Sequence, residues 1–203
     1  MNLMDLMQGQ LTEGLIDQLS QQLGGADKQQ TAAAASGAVS TILSALAKNA
    51  ATPDGASALA SALDNDHDGS ILDDVMGMVS GSATPQNSRA ANGAGILKHV
   101  LGGKQEGAAT MLSQLSGLSS GQTGNLMTML APMVMGALGK TKQSQGLDAG
   151  SLAGLLSGTV QSATNQNQEL GLIGKFLDQD GDGSVMDDLT GMGMNLLGKF
   201  LKR

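Results

Sequence analysis

The chain has 203 residues, a net charge of −7 and no cysteine, tryptophan or tyrosine. Without cysteine there are no disulfides, zinc–thiolate sites or thiol catalysis. The absence of a Lys/Arg cluster and of stacking aromatics argues against nucleic acid, and no apolar run reaches the 18 or so residues of a membrane-spanning helix.

One domain or two small ones fit this length. The core must be filled by Leu, Ala, Met, Val and Ile, because Phe176 and Phe200 are the only aromatics. Thirteen methionines suggest an adaptable apolar interior or interface. Thirty glycines, about twice the usual share, suggest short helices that end abruptly or approach closely.

The opening segment Met1–Met7 carries no basic region and no small-residue cleavage site, so it is not a normal secretory signal. The default expectation is a cytoplasmic protein, with leaderless export to the cell surface as the alternative. Residues 2–23 read as one amphipathic helix, with Met4, Met7, Leu11, Leu15, Leu19 and Leu23 at spacings of three and four. Gly24-Gly25 ends it. Asp27 starts an Ala-rich helix to about Ala50, with Val39, Ile42, Leu43 and Leu46 on its apolar face. Thr52-Pro53-Asp54 combines a cap, a first-position proline and a first-turn acid, and starts a short helix carrying Leu59 and Leu63.

That helix runs into Asp64-Asn65-Asp66-His67-Asp68-Gly69-Ser70-Ile71-Leu72-Asp73-Asp74. The pattern returns as Asp178-Gln179-Asp180-Gly181-Asp182-Gly183-Ser184-Val185-Met186-Asp187-Asp188. D-x-D-x-D-G arises by chance in about one window in 10⁵, so two copies with matching flanks are not an accident of composition. The spacing suits Ca²⁺, a hard cation that takes 6–8 oxygens. Carboxylates at loop positions 1, 3 and 5 converge, Gly at 6 makes the turn, and the carbonyl of 7 adds an oxygen. The expected ligands of two calcium sites are Asp64, Asp66, Asp68 and Ser70, and Asp178, Asp180, Asp182 and Ser184.

Over about a dozen residues each loop resembles EF-hand and dockerin calcium loops, but it departs from them at position 12. The bidentate Glu expected there is Val75 in one copy and Leu189 in the other. The closing carboxylate is expected from Asp73 or Asp74, and from Asp187 or Asp188. Ser70-x-x-Asp73 and Ser184-x-x-Asp187 also look like capping boxes. The competing interpretation is an Asp-rich turn that only caps a helix, but a cap needs one acid and not five. The position of His67 is taken by Gly181 in the other copy, so no side chain is required there and an exposed His is the better reading. His99 lies in an apolar stretch without a catalytic partner pattern and reads as structural.

Residues 81–93 have linker composition. Short helices follow near 95–101 and 105–116, and Ser119-x-x-Gln122 is a capping box. It opens the most apolar stretch, Leu126 to Leu138, expected to be a central buried helix that Pro132 kinks or splits. Asp148 caps a further helix to about Ala163, and a last helix follows the second loop. Leu19-Ser20-Gln21 with Gln29-Gln30-Thr31 echoes Leu112-Ser113-Gln114 with Gln122-Thr123, and the second copy carries an insertion near 141–165. These signals describe an all-α, multi-helix protein built from a duplicated unit, each ending in an Asp-rich metal loop between two helices. The units are residues 1–80 and 94–203.

The opening Met-Asn-Leu-Met-Asp-Leu-Met, the Leu-Asp-x-Asp-x-Asp-Gly-Ser-x-x-Asp-Asp loop, and the run from Ile96 to Gly139 resemble the YidB-like family. These are bacterial helical proteins classed as a domain of unknown function. The resemblance implies an all-α fold over most of the chain and brings no activity, substrate or catalytic residue.

Function therefore rests on the loops. The expectation is a non-enzymatic calcium-binding protein whose ions fix helix geometry and support a homo-oligomer or larger assembly. The alternative is a calcium-responsive protein that presents a Met-rich apolar surface to a partner protein. No nucleophile motif, phosphate loop or acid–base pair outside the loops suggests an enzyme. The end Leu196–Arg203 is better explained by a docked last helix with cations at its C-terminus than by membrane contact.

Overall fold

The computed structural model describes residues 3–66 and 91–166. Among these the protein is all helical. The elements are α1 (Leu3–Gln10), α2 (Glu13–Gln22), α3 (Lys28–Asn49), α4 (Pro53–Asn65), α5 (Gly93–Leu101), a 3₁₀ turn (Gly102–Lys104), α6 (Gln105–Ser116), α7 (Ser120–Gln145) and α8 (Ala149–Gln166).

Most helices begin on a short polar side chain. Asp27, Thr52 and Asn92 each accept the N–H three residues on, from Gln30, Gly55 and Gly95 at 2.9, 3.2 and 2.9 Å. Ser119 and Gln122 form the complete reciprocal box that starts α7. Gly117 and Gly146 end α6 and α7 with φ of 82° and 62°, a region that favours glycine.

The long helices α3 and α7 pack against each other, and the others surround them. α3 also meets α8, α6, α2 and α5, while α7 meets α6, α5 and α4. Leu19, Ile42, Leu43, Leu63, Leu97, Leu112, Leu126, Met127, Leu138 and Leu152 are fully buried in one shared core. Burying each such side chain contributes about 1.5–3 kcal/mol. Helices on both sides of residues 67–90 contribute to that core.

Small residues explain how a core nearly free of aromatics closes. Gly37 lies so near Leu112 that an added methyl would sit 2.6 Å from the leucine Cδ2. The buried hydroxyls of Thr41 and Thr141 donate to the carbonyls of Gly37 and Ala137 in their own helices, both at 2.8 Å. Each polar group is thus satisfied without a partner from another element, and neighbouring helices can approach closely.

One element differs from the sequence expectation, and for a second, one of the two expected outcomes is excluded. The single helix expected over residues 2–23 is broken into α1 and α2. Thr12 is extended, and its hydroxyl accepts the Leu15 N–H at 3.3 Å, so it caps a new helix instead of continuing the old one. The break lets α1 rest on α8 and α7 while α2 rests on α3. Pro132 does not split α7, which runs continuously from Ser120 to Gln145. The stretch is buried as expected, with Met127, Leu130, Met133, Val134, Met135 and Leu138 all in the core.

Candidate functional site

The described chain reaches the first acidic loop at the end of α4. Thr52 and Pro53 set where that helix starts, and its buried Leu59 and Leu63 fix its orientation. Asp64 falls in the last turn and Asp66 is the C-cap, with its N–H donated to the Ala62 carbonyl at 3.0 Å. Both carboxylates therefore sit where the helix dipole is negative, an unfavourable place for anions unless a cation is near.

The structure supplies one. The Lys142 ammonium, from the last turn of α7, lies 2.5 Å from Asp64 Oδ1. The two side chains are unlike in exposure, 12% for Lys142 and 53% for Asp64. The lysine stem is thus held against protein while the carboxylate faces solvent. The pair joins positions 78 residues apart in the chain.

Of the expected calcium ligands, only Asp64 and Asp66 fall among the described residues. Asp68, Ser70, Asp73, Asp74, Asp178, Asp180, Asp182, Ser184, Asp187 and Asp188 lie outside them, as does His67. Among the described residues no group of three or more His, Cys, Asp or Glu could hold a metal ion. The two described carboxylates are hard oxygen donors of the type Ca²⁺ takes, and the remaining oxygens of a 6–8-coordinate site would have to come from the loop beyond them.

Beside α4 is a second feature. A cavity of about 590 Å³ separates it from α5, floored by Leu46 of α3 and Met135 of α7. Leu59 and Ala62 form one wall, and Ile96 and His99 the other. His99 is exposed on this face. At α5's C-terminal end the Asn49 amide donates to the Val100 carbonyl at 3.0 Å, satisfying one of the helix's free acceptors. Gly55 packs directly on the Asn49 carbonyl, where no Cβ would fit.

Sequence reasoning did not find the cavity or the role of Lys142. The cavity needs four helices to be placed first. The lysine carries no local signal that it meets an aspartate 78 positions earlier.

No helix among the described residues is long and apolar enough to cross a membrane. No curated protein and no solved structure matches the chain. A family described as a bacterial protein of unknown function (DUF937) matches residues 5–141, a span that includes the first acidic loop and stops before the second. This agrees with the resemblance carried by the opening segment and by the run from Ile96 to Gly139, and the chain belongs to this family of bacterial proteins of unknown function.

Proposed function

We propose that this protein is a non-enzymatic calcium binder, in which two Ca²⁺ ions fix helix geometry and support self-association. One observation carries the proposal: the D-x-D-x-D-G-S loop occurs twice, and its first copy starts on Asp64 and Asp66 at the exit of α4, where a lysine ammonium already neutralises one carboxylate. Carboxylates at a helix C-terminus combine their own charge with the negative end of the helix dipole, and so attract cations. Bound calcium would neutralise the carboxylates that otherwise repel one another.

The duplicated unit belongs to the same proposal. It is supported by the sequence echo and by the order short helix, long helix, which α2 and α3 share with α6 and α7. Self-association has only compositional support, since Met127, Met133 and Met135 are used inside the core.

Titration calorimetry tests the binding claim. Two calcium-binding events are expected in the full chain, with the first lost in D66A and the second in D180A. Absence of heat with millimolar calcium removes the proposal. Sizing the protein in calcium and in chelator tests assembly, which requires a larger particle with calcium.

A second reading, a calcium-responsive protein that binds a partner, is favoured by one feature: α4 both delivers Asp64 and Asp66 and forms a wall of the 590 Å³ cavity. A change in helicity at constant mass on adding calcium would support it over assembly.

A further inference from the structure

We propose that Asn92 is a site of spontaneous deamidation that the fold holds closed, and that its isoaspartyl product keeps the start of α5 from seating on α7.

Asn92-Gly93 is the one Asn-Gly pair in the chain. Glycine has no side chain to shield the nitrogen that follows the asparagine. In the reaction the Gly93 amide gives its proton to a solvent base, and its nitrogen attacks Asn92 Cγ. The N–Cγ bond forms, the Cγ–Nδ2 bond breaks, and the nitrogen leaves as ammonia with a proton from solvent. Water then opens the cyclic imide on either side. One opening leaves an aspartate at position 92, and the other an isoaspartate whose main chain runs through Cγ.

The fold keeps the reacting groups apart. The Asn92 side-chain oxygen accepts the Gly95 N–H at 2.9 Å. The Gly93 N–H donates to the Ala91 carbonyl, also at 2.9 Å. Gly93 is buried, and its Cα rests against the Thr128 carbonyl where no Cβ would fit. Asn92 itself is exposed, so water and base reach its carboxamide. What is withheld is the attacking nitrogen. Attack requires both bonds to break and the first turn of α5 to lift from α7, which is a local opening.

The two products differ in what they do to α5. Aspartate keeps an oxygen for the Gly95 N–H and places a negative charge at the positive end of the helix, so α5 starts as before. Isoaspartate inserts a methylene into the main chain directly before Gly93. In a close-packed contact that extra atom displaces Gly93 from its seat on Thr128. Either product also sets a carboxylate on the wall of the cavity that Asn92 shares with His99.

Ageing the full chain at mildly alkaline pH, folded and in unfolding urea, tests the proposal. Trypsin releases residues 90–98, in which Asn92 is the only asparagine, and the mass change from –NH2 to –OH reads the reaction. The folded chain is expected to react at least about tenfold more slowly, because two hydrogen bonds must first open. Isoaspartyl chain, made by ageing in urea and then refolded, should unfold at lower urea than N92D. N92S keeps a capping oxygen and, aged in the same way, controls for the other asparagines. Equal rates in the folded and unfolded chain overturn the proposal, as does an isoaspartyl chain as stable as N92D.

Discussion

The Cα of Gly93 rests against the carbonyl oxygen of Thr128, so closely that a methyl group on Gly93 would overlap that oxygen and press on Pro132 Cδ at 3.2 Å. Thr128 is four residues before Pro132, which has no N–H to give it, so this carbonyl lacks its helical donor. The first residue of α5 therefore packs where α7 lost a hydrogen bond. The close Cα–H···O approach partly replaces it. A proline inside a buried helix persists because a glycine from another helix fits over the gap.

Gly93→Ala is accordingly expected to destabilise by about 1–3 kcal/mol through overpacking. Gly154 makes the contrast: it lies exposed within α8 with open space around its Cα. Gly154→Ala should stabilise by about 0.4–1 kcal/mol, since it restricts the unfolded chain without a clash. Urea unfolding of both variants measures the difference. Equal signs would mean that the Gly93 contact is not tight.

Gln122 links α2 to α7. Its side-chain oxygen accepts from the Ser119 N–H at 3.0 Å, and its amide nitrogen donates to the Leu23 carbonyl at 2.9 Å. Gln122→Ala removes both bonds and should cost about 1–2 kcal/mol. Gln122→Glu keeps the capping box but turns a donor into an acceptor facing Leu23, so an intermediate loss is expected. A Glu variant as stable as wild type would show that the link to Leu23 contributes nothing.

Asp148 gives a pH signature. Its carboxylate accepts the Ser151 N–H at 2.7 Å, and this bond, with help from the Ser151 hydroxyl and the Gly150 N–H, holds its pKa below the ordinary 3.8. A depressed folded pKa stabilises the native state in full above the unfolded value, and this stabilisation is lost as pH falls through the folded one. Wild type should therefore exceed Asp148→Asn in melting temperature by a constant margin at neutral pH. The margin should shrink only in acid below 3.8. A margin that begins to fall near neutrality would contradict this assignment.

Much of the helical order was legible because the caps are local signals. Asp27, Thr52, Ser119 with Gln122, and Asp148 each announced a helix that the structure contains. Thr12 carried the same type of signal, but the apolar spacing of Met7, Leu11 and Leu15 continued across it, and periodicity hid the cap. Pro132 was legible as a disturbance, but its outcome depended on Gly93, a residue in another helix. At the candidate site the order of acids along the chain was plain. The ion pair of Lys142 with Asp64 and the cavity beside α4 arise from tertiary packing, which local pattern does not encode.

Thermal unfolding in calcium, in magnesium and in chelator decides whether the acidic loops hold calcium. Calcium at about a hundred times its dissociation constant should stabilise the native state by about 2.7 kcal/mol per site. Magnesium should do less, because it demands a tighter octahedron and seldom uses an all-protein cage. The double variant D66A/D180A should melt at the same temperature in all three. If wild type also melts identically in calcium and in chelator, the acidic loops are helix caps and the calcium account is wrong.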